Sequence, residues 1–262
     1  MTRYSFIIAA FMILTQSITS DVYAAYVGNP SRVFGSGSDK KDCAVFTEAI
    51  ADIIYDRGAK FQSDDMKVDF YGAKAGIIFK NTCFFYGGAG SAKVEEEYII
   101  RDLRVKWESD DSFTWLAGAS FKVYEKELKY FYNSTLLVGF DGQYRNTGID
   151  PDIISIDSAE YNMPHTDISY STMEYNDWHL SFTCALGMGA FSPYMGFKYS
   201  DFESCVRVRR DNIVYQKDNA EADDNLGIFA GLSVKIIDSL SANAEAGFID
   251  EEYLSAGLSW KF

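Results

Sequence analysis

The 262-residue sequence predicts an all-β fold: an up-and-down antiparallel transmembrane β-barrel of about ten strands, with about eight as the alternative. Three observations predict it. Segment after segment alternates bulky apolar residues with small or polar ones at period two, the connections alternate short and long, and no Pro- or Ser-rich linker divides the chain. Composition agrees, because aromatics reach 16% and 20 glycines stand against 4 prolines, a balance that suits strands.

At the N-terminus, Arg3 precedes an unbroken apolar run from Phe6 to Leu14, and Val22-Tyr23-Ala24 offers small residues at the spacing of a cleavage site. Residues 1–24 therefore read as a signal peptide. The apolar run is too short for a membrane anchor, which needs about 20 residues. No Cys follows the cleavage point, which speaks against acylation at a new N-terminus.

The first strand candidate, residues 45–56, is the weakest, since Ala49-Ile50-Ala51-Asp52-Ile53-Ile54 also suits a helix. Val68 to Phe79 and the Gly-rich run Phe84 to Gly90 read as strands whose facing the pattern leaves open. From there the alternation is plain. Phe113, Trp115, Ala117, Ala119, Phe121 and Val123 oppose Thr114, Gly118, Ser120 and Lys122, with Leu116 as the exception. Leu136, Val138 and Phe140 follow, then Trp178 to Leu186, then Met195, Phe197 and Tyr199 after Pro193 at a strand start. Leu226 to Ile236, Leu240 to Phe248 and Leu254 to Phe262 complete the set, each with Gly, Ser, Asn or a single charge on the opposite parity, joined in the first by Phe229.

Short turns are expected near Lys80-Asn81, Glu125 to Lys129, Gly187 to Ala190 and Ile237 to Ser239. Longer polar connections are expected near residues 57–66, 95–112, 146–174 and 207–225, with a brief one near 249–253. An up-and-down membrane barrel predicts this short-long alternation, and a soluble β-sandwich does not require it. Aromatics such as Trp115, Trp178, Trp260 and Phe262 bound the apolar parity as interfacial girdles would.

The last eight residues, Ser255-Ala256-Gly257-Leu258-Ser259-Trp260-Lys261-Phe262, resemble the signal that bacterial outer-membrane β-barrels present to their assembly machinery. Its four places are filled here by Ser255, Gly257, Trp260 and Phe262. Phe191 through Tyr199 is likewise similar to strands of small outer-membrane proteins, of the porin-like and OmpA-like kind, and Val27-Gly28-Asn29-Pro30 is similar to the mature start of chlamydial major outer membrane proteins. The resemblance implies an outer-membrane location, with residues 25–44 as an N-terminal periplasmic segment, 45–262 as the barrel, and both barrel termini periplasmic. It implies outer-membrane lipid, lipopolysaccharide and the assembly machinery as partners.

The formal charge of −14 survives loss of the signal peptide, because Arg3 and Asp21 leave together, and so acidic a chain is no nucleic-acid binder. Lys74, Lys122, Asp141, Lys198, Lys235 and Glu245 fall on the inward parity. They either line a narrow polar path or pair with one another and plug the lumen. The implied function is a non-enzymatic barrel, a small porin-like channel or a structural and surface protein. The alternative is a hydrolase: Asp177-Trp178-His179 resembles the Asp-x-His pair of omptin proteases, where a carboxylate orients an imidazole base, and Asp150-Pro151-Asp152 has the spacing of their second acidic pair. No cofactor motif, zinc spacing of Cys43, Cys83, Cys184 and Cys205, or calcium loop appears, and a Cys43–Cys83 bridge is conceivable at the periplasmic end.

Overall fold

The computed structural model describes residues 43–57, 66–100, 103–129, 134–149, 151–156, 159–162, 168–210, 213–220, 222, 225–249 and 251–262. The expected signal peptide, the segment through residue 42 and the Val27 to Pro30 resemblance lie outside the described residues. The strands, in chain order, are β1 (Cys43–Arg57), β2 (Met66–Phe79), β3 (Cys83–Ile100), β4 (Leu103–Ser109), β5 (Ser112–Leu128), β6 (Ser134–Gly148), β7 (Pro151–Ile156), β8 (Ala159–Asn162), β9 (Ile168–Gly187), β10 (Phe191–Arg210), β11 (Ile213–Ala220), β12 (Leu226–Ile237), β13 (Leu240–Phe248) and β14 (Glu251–Lys261).

Strands β1, β2, β3, β5, β6, β9, β10, β12, β13 and β14 pair antiparallel, each with the next, and β14 returns to β1 to close a ten-stranded ring. The remaining four stand on it as an overhang. The upper part of β3 turns from β5 to β4, β4 pairs β7, β7 pairs β8, and β11 pairs the upper part of β10. These short strands occupy the stretches expected as polar connections. On β4 the outward residues Arg104, Lys106 and Glu108 carry charge, which hides its alternation in the sequence.

One end of the ring holds the tight turns. Lys80 and Asn81, at φ 48° and 51°, form the two-residue turn between β2 and β3, closed by Thr82 N–H donating to Phe79 O at 2.9 Å. Both central residues need positive φ in this turn type, which Asn tolerates. Strand β5 runs through Leu128, so the turn expected from Glu125 begins later. Residues 45–56 are strand, not helix: Phe46, Glu48, Ile50, Asp52 and Ile54 share the inward face. Helical ambiguity arose because that face mixes aliphatic residues with carboxylates.

The apolar parity faces out. Phe113, Trp115, Phe121, Trp178, Leu180, Met195, Phe197, Leu226 and Trp260 are exposed, while their alternates are buried. Near the loop end, Trp115 packs on Tyr144 and Trp178 on Tyr199, each at 5.4 Å between ring centroids, along four successive strands. Near the turn end, Phe79, Phe85 and Phe121 form a second row. Two aromatic rows bounding an apolar band on a closed barrel are the surface chemistry of a membrane-spanning barrel. Leu116, the exception in the pattern, is buried inside.

Inward glycines have a packing role. Tyr86 lies opposite Gly118, Tyr194 opposite Gly231, Phe229 opposite Gly196 and Tyr253 opposite Gly247, and a Cβ at any of these glycines would meet the facing ring. The ring covers the backbone that glycine leaves open, the pairing known as aromatic rescue. It pins register while filling the lumen.

Candidate functional site

The lumen is filled by side chains in layers. Phe46, Ile78, Phe84 and Leu137 are buried toward the turn end, and Met66, Val94, Val105, Trp107, Ile154 and Phe202 toward the loop end, the overhang supplying Val105, Trp107 and Ile154. Charge lies between and around them. Among the described residues, seven buried carboxylates (Glu48, Asp52, Glu96, Asp141, Asp177, Glu245 and Glu251) face four buried cations (Arg57, Lys74, Arg145 and Lys198) and His179.

Local structure places each group. Period two on β1 puts Glu48 and Asp52 inward, and a bulge at Tyr55, between Ile54 and Arg57 in the registers with β2 and β14, shifts the parity so that Arg57 also points in. On β6, Asp141, Gln143 and Arg145 share the inward face, and on β9 Tyr175, Asp177, His179 and Ser181 do.

The contacts cross the lumen. Strands β1 and β9 stand on opposite sides of the ring, yet Arg57 Nη1 donates to Tyr175 Oη at 2.5 Å and lies 3.8 Å from Asp177. Arg145 donates from Nε at 2.9 Å and Nη2 at 2.5 Å to Asp177 Oδ2, and reaches Asp52 of β1 at 3.7 Å. Glu251 accepts from Lys198 and lies 3.3 Å from Arg57. Lys74 lies 3.1 Å from Glu48, Tyr253 donates to Glu245 at 2.8 Å, and Ser204 of β10 donates to Glu96 of β3 at 2.9 Å across the mouth. Asp141 accepts from Tyr86 at 3.0 Å and from Ser120.

Each of the four cations also sits over an aromatic ring: Arg57 over Phe202 at 4.7 Å, Lys74 over Tyr86 at 4.8 Å, Arg145 over Phe70 at 5.3 Å and Lys198 over Tyr253 at 4.0 Å. Buried charge is costly unless it is paired, and each of these four cations has a carboxylate within ion-pair distance and a ring face as an additional partner.

Of the residues singled out from sequence, Lys74, Asp141, Lys198 and Glu245 lie in this network. Lys122 and Lys235 stand at the turn-end rim instead, 2.7 Å from Glu125 and 3.2 Å from Asp238. Asp177 and His179 share the inward face, but Asp177 is engaged by Arg145, and the carboxylate next to His179 Nε2 is Asp141 at 3.5 Å. Asp152 is exposed on β7, and Asp150 lies outside the described residues. Asp177 is therefore the centre of an ion-pair network and does not orient an imidazole toward solvent. Ser255 and Gly257 face the lumen side of β14, and Trp260 and Phe262 face out with ring centroids 6.1 Å apart.

Arg57, Arg145, Glu48, Asp52, Tyr175 and Glu251 were missed from sequence. Glu48 and Asp52 share parity, and Arg145 continues the parity of Asp141, which are usable signals. Arg57 had none, because the bulge is invisible in the pattern. Cys43, Cys83 and Cys184 are free thiols. Cys43 faces Phe79 on β2 and Phe79 faces Cys83 on β3, so two strand spacings of about 4.8 Å separate the sulfur-bearing residues, too far for a bridge. Among the described residues no group of three His, Cys, Asp or Glu is disposed to hold a metal.

No protein-family model matches the chain, and no curated protein matches its sequence. Among solved structures, the chain is similar to the outer membrane protease OmpT of Escherichia coli, at 9% identity and TM-score 0.48, over 87% of this chain and 100% of that one. It is similar to the translocator domain of an autotransporter from Neisseria meningitidis, at 10% identity and TM-score 0.41, over 88% and 91%. It is also similar to an outer membrane channel from Pseudomonas putida F1, at 10% identity and TM-score 0.41, over 90% and 100%. Likeness at these scores carries no argument about activity.

Proposed function

We propose that this chain is a non-enzymatic structural and surface protein of the outer membrane, a barrel with a closed lumen and not an open pore. The observation that carries this reading is the set of side-chain bridges spanning the ring, from Arg57 to Tyr175 and from Arg145 to Asp52 and Asp177, beneath the apolar layer around Trp107. A solute path needs a continuous wet lumen, and ten strands leave little width beyond what side chains fill. The apolar band and its girdles favour a lipid bilayer as the surroundings. Short turns at one end and an elaborated overhang at the other resemble periplasmic turns and extracellular loops, which supports the reading that both barrel termini are periplasmic and that the overhang is displayed outside, beside lipopolysaccharide. The terminal strand is then the segment that the assembly machinery reads.

Two measurements test this reading. Protein reconstituted in lipid vesicles is expected to leave small neutral sugars outside, and intact cells are expected to lose the overhang, but not the barrel, to added protease. Sugar influx above protein-free vesicles, or fractionation away from the outer membrane, contradicts it. The hydrolase alternative predicts turnover that falls in His179→Ala, whereas the closed barrel predicts none in either form.

A further inference from the structure

Every neighbouring pair in the ring is consecutive in the chain or separated only by overhang strands, except β14 with β1. Turn geometry sets register in a hairpin, so the closing seam has to take its register from side chains. Its outward face offers little discrimination, because Thr47, Ala49, Ala51 and Ile53 lie opposite Trp260, Leu258, Ala256 and Leu254, and a slip of two residues leaves apolar residues facing lipid. The lumen face is different. Glu48 lies directly opposite Ser259 and Asp52 directly opposite Ser255. Ser259 donates to Glu48 Oε1 at 3.1 Å, and Ser255 to Asp52 Oδ1 at 2.8 Å. Between them Gly257 leaves room for the Glu48 carboxylate, whose Oε1 would lie 2.7 Å from a Cβ there.

We infer that the Asp52–Ser255 and Glu48–Ser259 pairs are a register lock that selects one closure of the barrel. A slip of two residues one way puts Asp52 opposite Gly257 and Glu48 opposite Lys261; the other way puts Asp52 opposite Tyr253 and Glu48 opposite Gly257. One slip leaves Asp52 opposite a glycine, the other leaves it opposite Tyr253, whose hydroxyl already donates to Glu245, and neither keeps the two serine pairs. Hydrogen bonds to charged groups in the low-dielectric interior are the strong ones, so the native register is favoured over its slipped neighbours. Ser255 and Gly257 thereby act within the finished barrel, in addition to any role in being recognised during assembly.

The test uses the full mature chain with Cys43, Cys83, Cys184 and Cys205 replaced by Ser, refolded into lipid vesicles, with cysteine pairs introduced across the seam. Ala51→Cys with Ala256→Cys reports the native register, and Ala51→Cys with Leu254→Cys or Leu258→Cys reports the two slips. Directly opposed Cα atoms lie about 4.5–5.5 Å apart, within disulfide reach, and the diagonal ones about 7–8 Å, beyond it. The native pair alone is expected to oxidise in the parent. In S255A/S259A the ratio of native to slipped crosslinks is expected to fall about a hundredfold or more, with two charged-group hydrogen bonds lost. An unchanged ratio overturns the lock. Should S255A/S259A give no folded band, S255D and D52S/S255D decide: the single variant opposes two carboxylates and loses closure, and the swap regains it. A swap that folds no better than S255D overturns the inference.

Discussion

Strand β3 contains two regions of opposite polarity in one continuous strand. From Phe85 to Ser91 its outward residues are Phe85, Gly87, Ala89 and Ser91, and its inward residues include Tyr86 and Gly88, the latter beside Lys74. From Lys93 to Glu97 the outward residues are Lys93, Glu95 and Glu97, while Val94 faces in, opposite Ser109 and beside the Trp107 layer. The outward charges form a ladder with β4, in which Lys93 pairs Glu108, Arg104 lies 3.0 Å from Glu97 and Lys106 lies 3.7 Å from Glu95. The backbone is the same ladder throughout. What changes is the solvent outside, lipid below and water above, and the side chains invert with it. The inversion marks where the wall leaves the bilayer, just beyond the girdle of Trp115 and Tyr144.

Four substitutions probe this contrast. Arg145→Ala acts on the membrane-embedded region, leaving Asp177 and Asp52 without a partner they now share; removing one member of a buried ion pair costs about 3–5 kcal/mol. Urea unfolding of the barrel in lipid is expected to show this loss, and a midpoint unchanged from the parent removes the network from the account of stability. Trp107→Ala opens a cavity in the apolar layer at the loop end, at a cost of about 3 kcal/mol that falls on the overhang. Protease should then nick residues 103–109 while the barrel stays heat-modifiable, whereas barrel unfolding at the same denaturant would merge the two regions into one unit.

Gly231→Ala comes next, because its Cβ would meet the Tyr194 ring and overpacking costs about 1–3 kcal/mol. Tyr194→Ala in the same chain should relieve part of it, which a double-mutant cycle measures. The smallest effect is Glu108→Gln on the overhang. The Glu108 carboxylate holds the Lys93 ammonium above its ordinary value, so their contact stabilises below the unfolded Lys value, near 10.4, and is lost as pH rises through the folded one. Exposed pairs contribute about 0–1 kcal/mol and are screened by salt. Proteolysis of the overhang should therefore rise slightly in Glu108→Gln, above pH 10.4 and in high salt, with no change in the barrel.

The same inversion explains what sequence could reveal. In the barrel the lipid-facing parity is apolar and the alternation is plain from Phe113 onward, so strand number, facing and the alternation of turns and loops were readable. In the overhang, Glu95-Glu96-Glu97 and Asp110-Asp111 look like a solvated connection, since a wall facing water is charged outside, and the alternate residues Val94, Val105 and Trp107 are too few per strand to outweigh it. For the lumen, parity identifies that Lys74, Asp141, Lys198 and Glu245 point inward. It cannot say whom they meet, because the partners lie across the ring at separations such as the 118 residues between Arg57 and Tyr175. Asp177-Trp178-His179 shows the same limit. Adjacent spacing suggested a pair, yet each side chain found a nearer partner on β6, Arg145 for one and Asp141 for the other.

The most direct test of the closed lumen is single-channel recording of the refolded protein in planar bilayers. The parent is expected to insert without steady ohmic steps, and Arg145→Ala combined with Trp107→Ala, if it retains the folded band, to admit ion current where the parent does not. Steady unitary conductance from the parent would contradict the closed lumen.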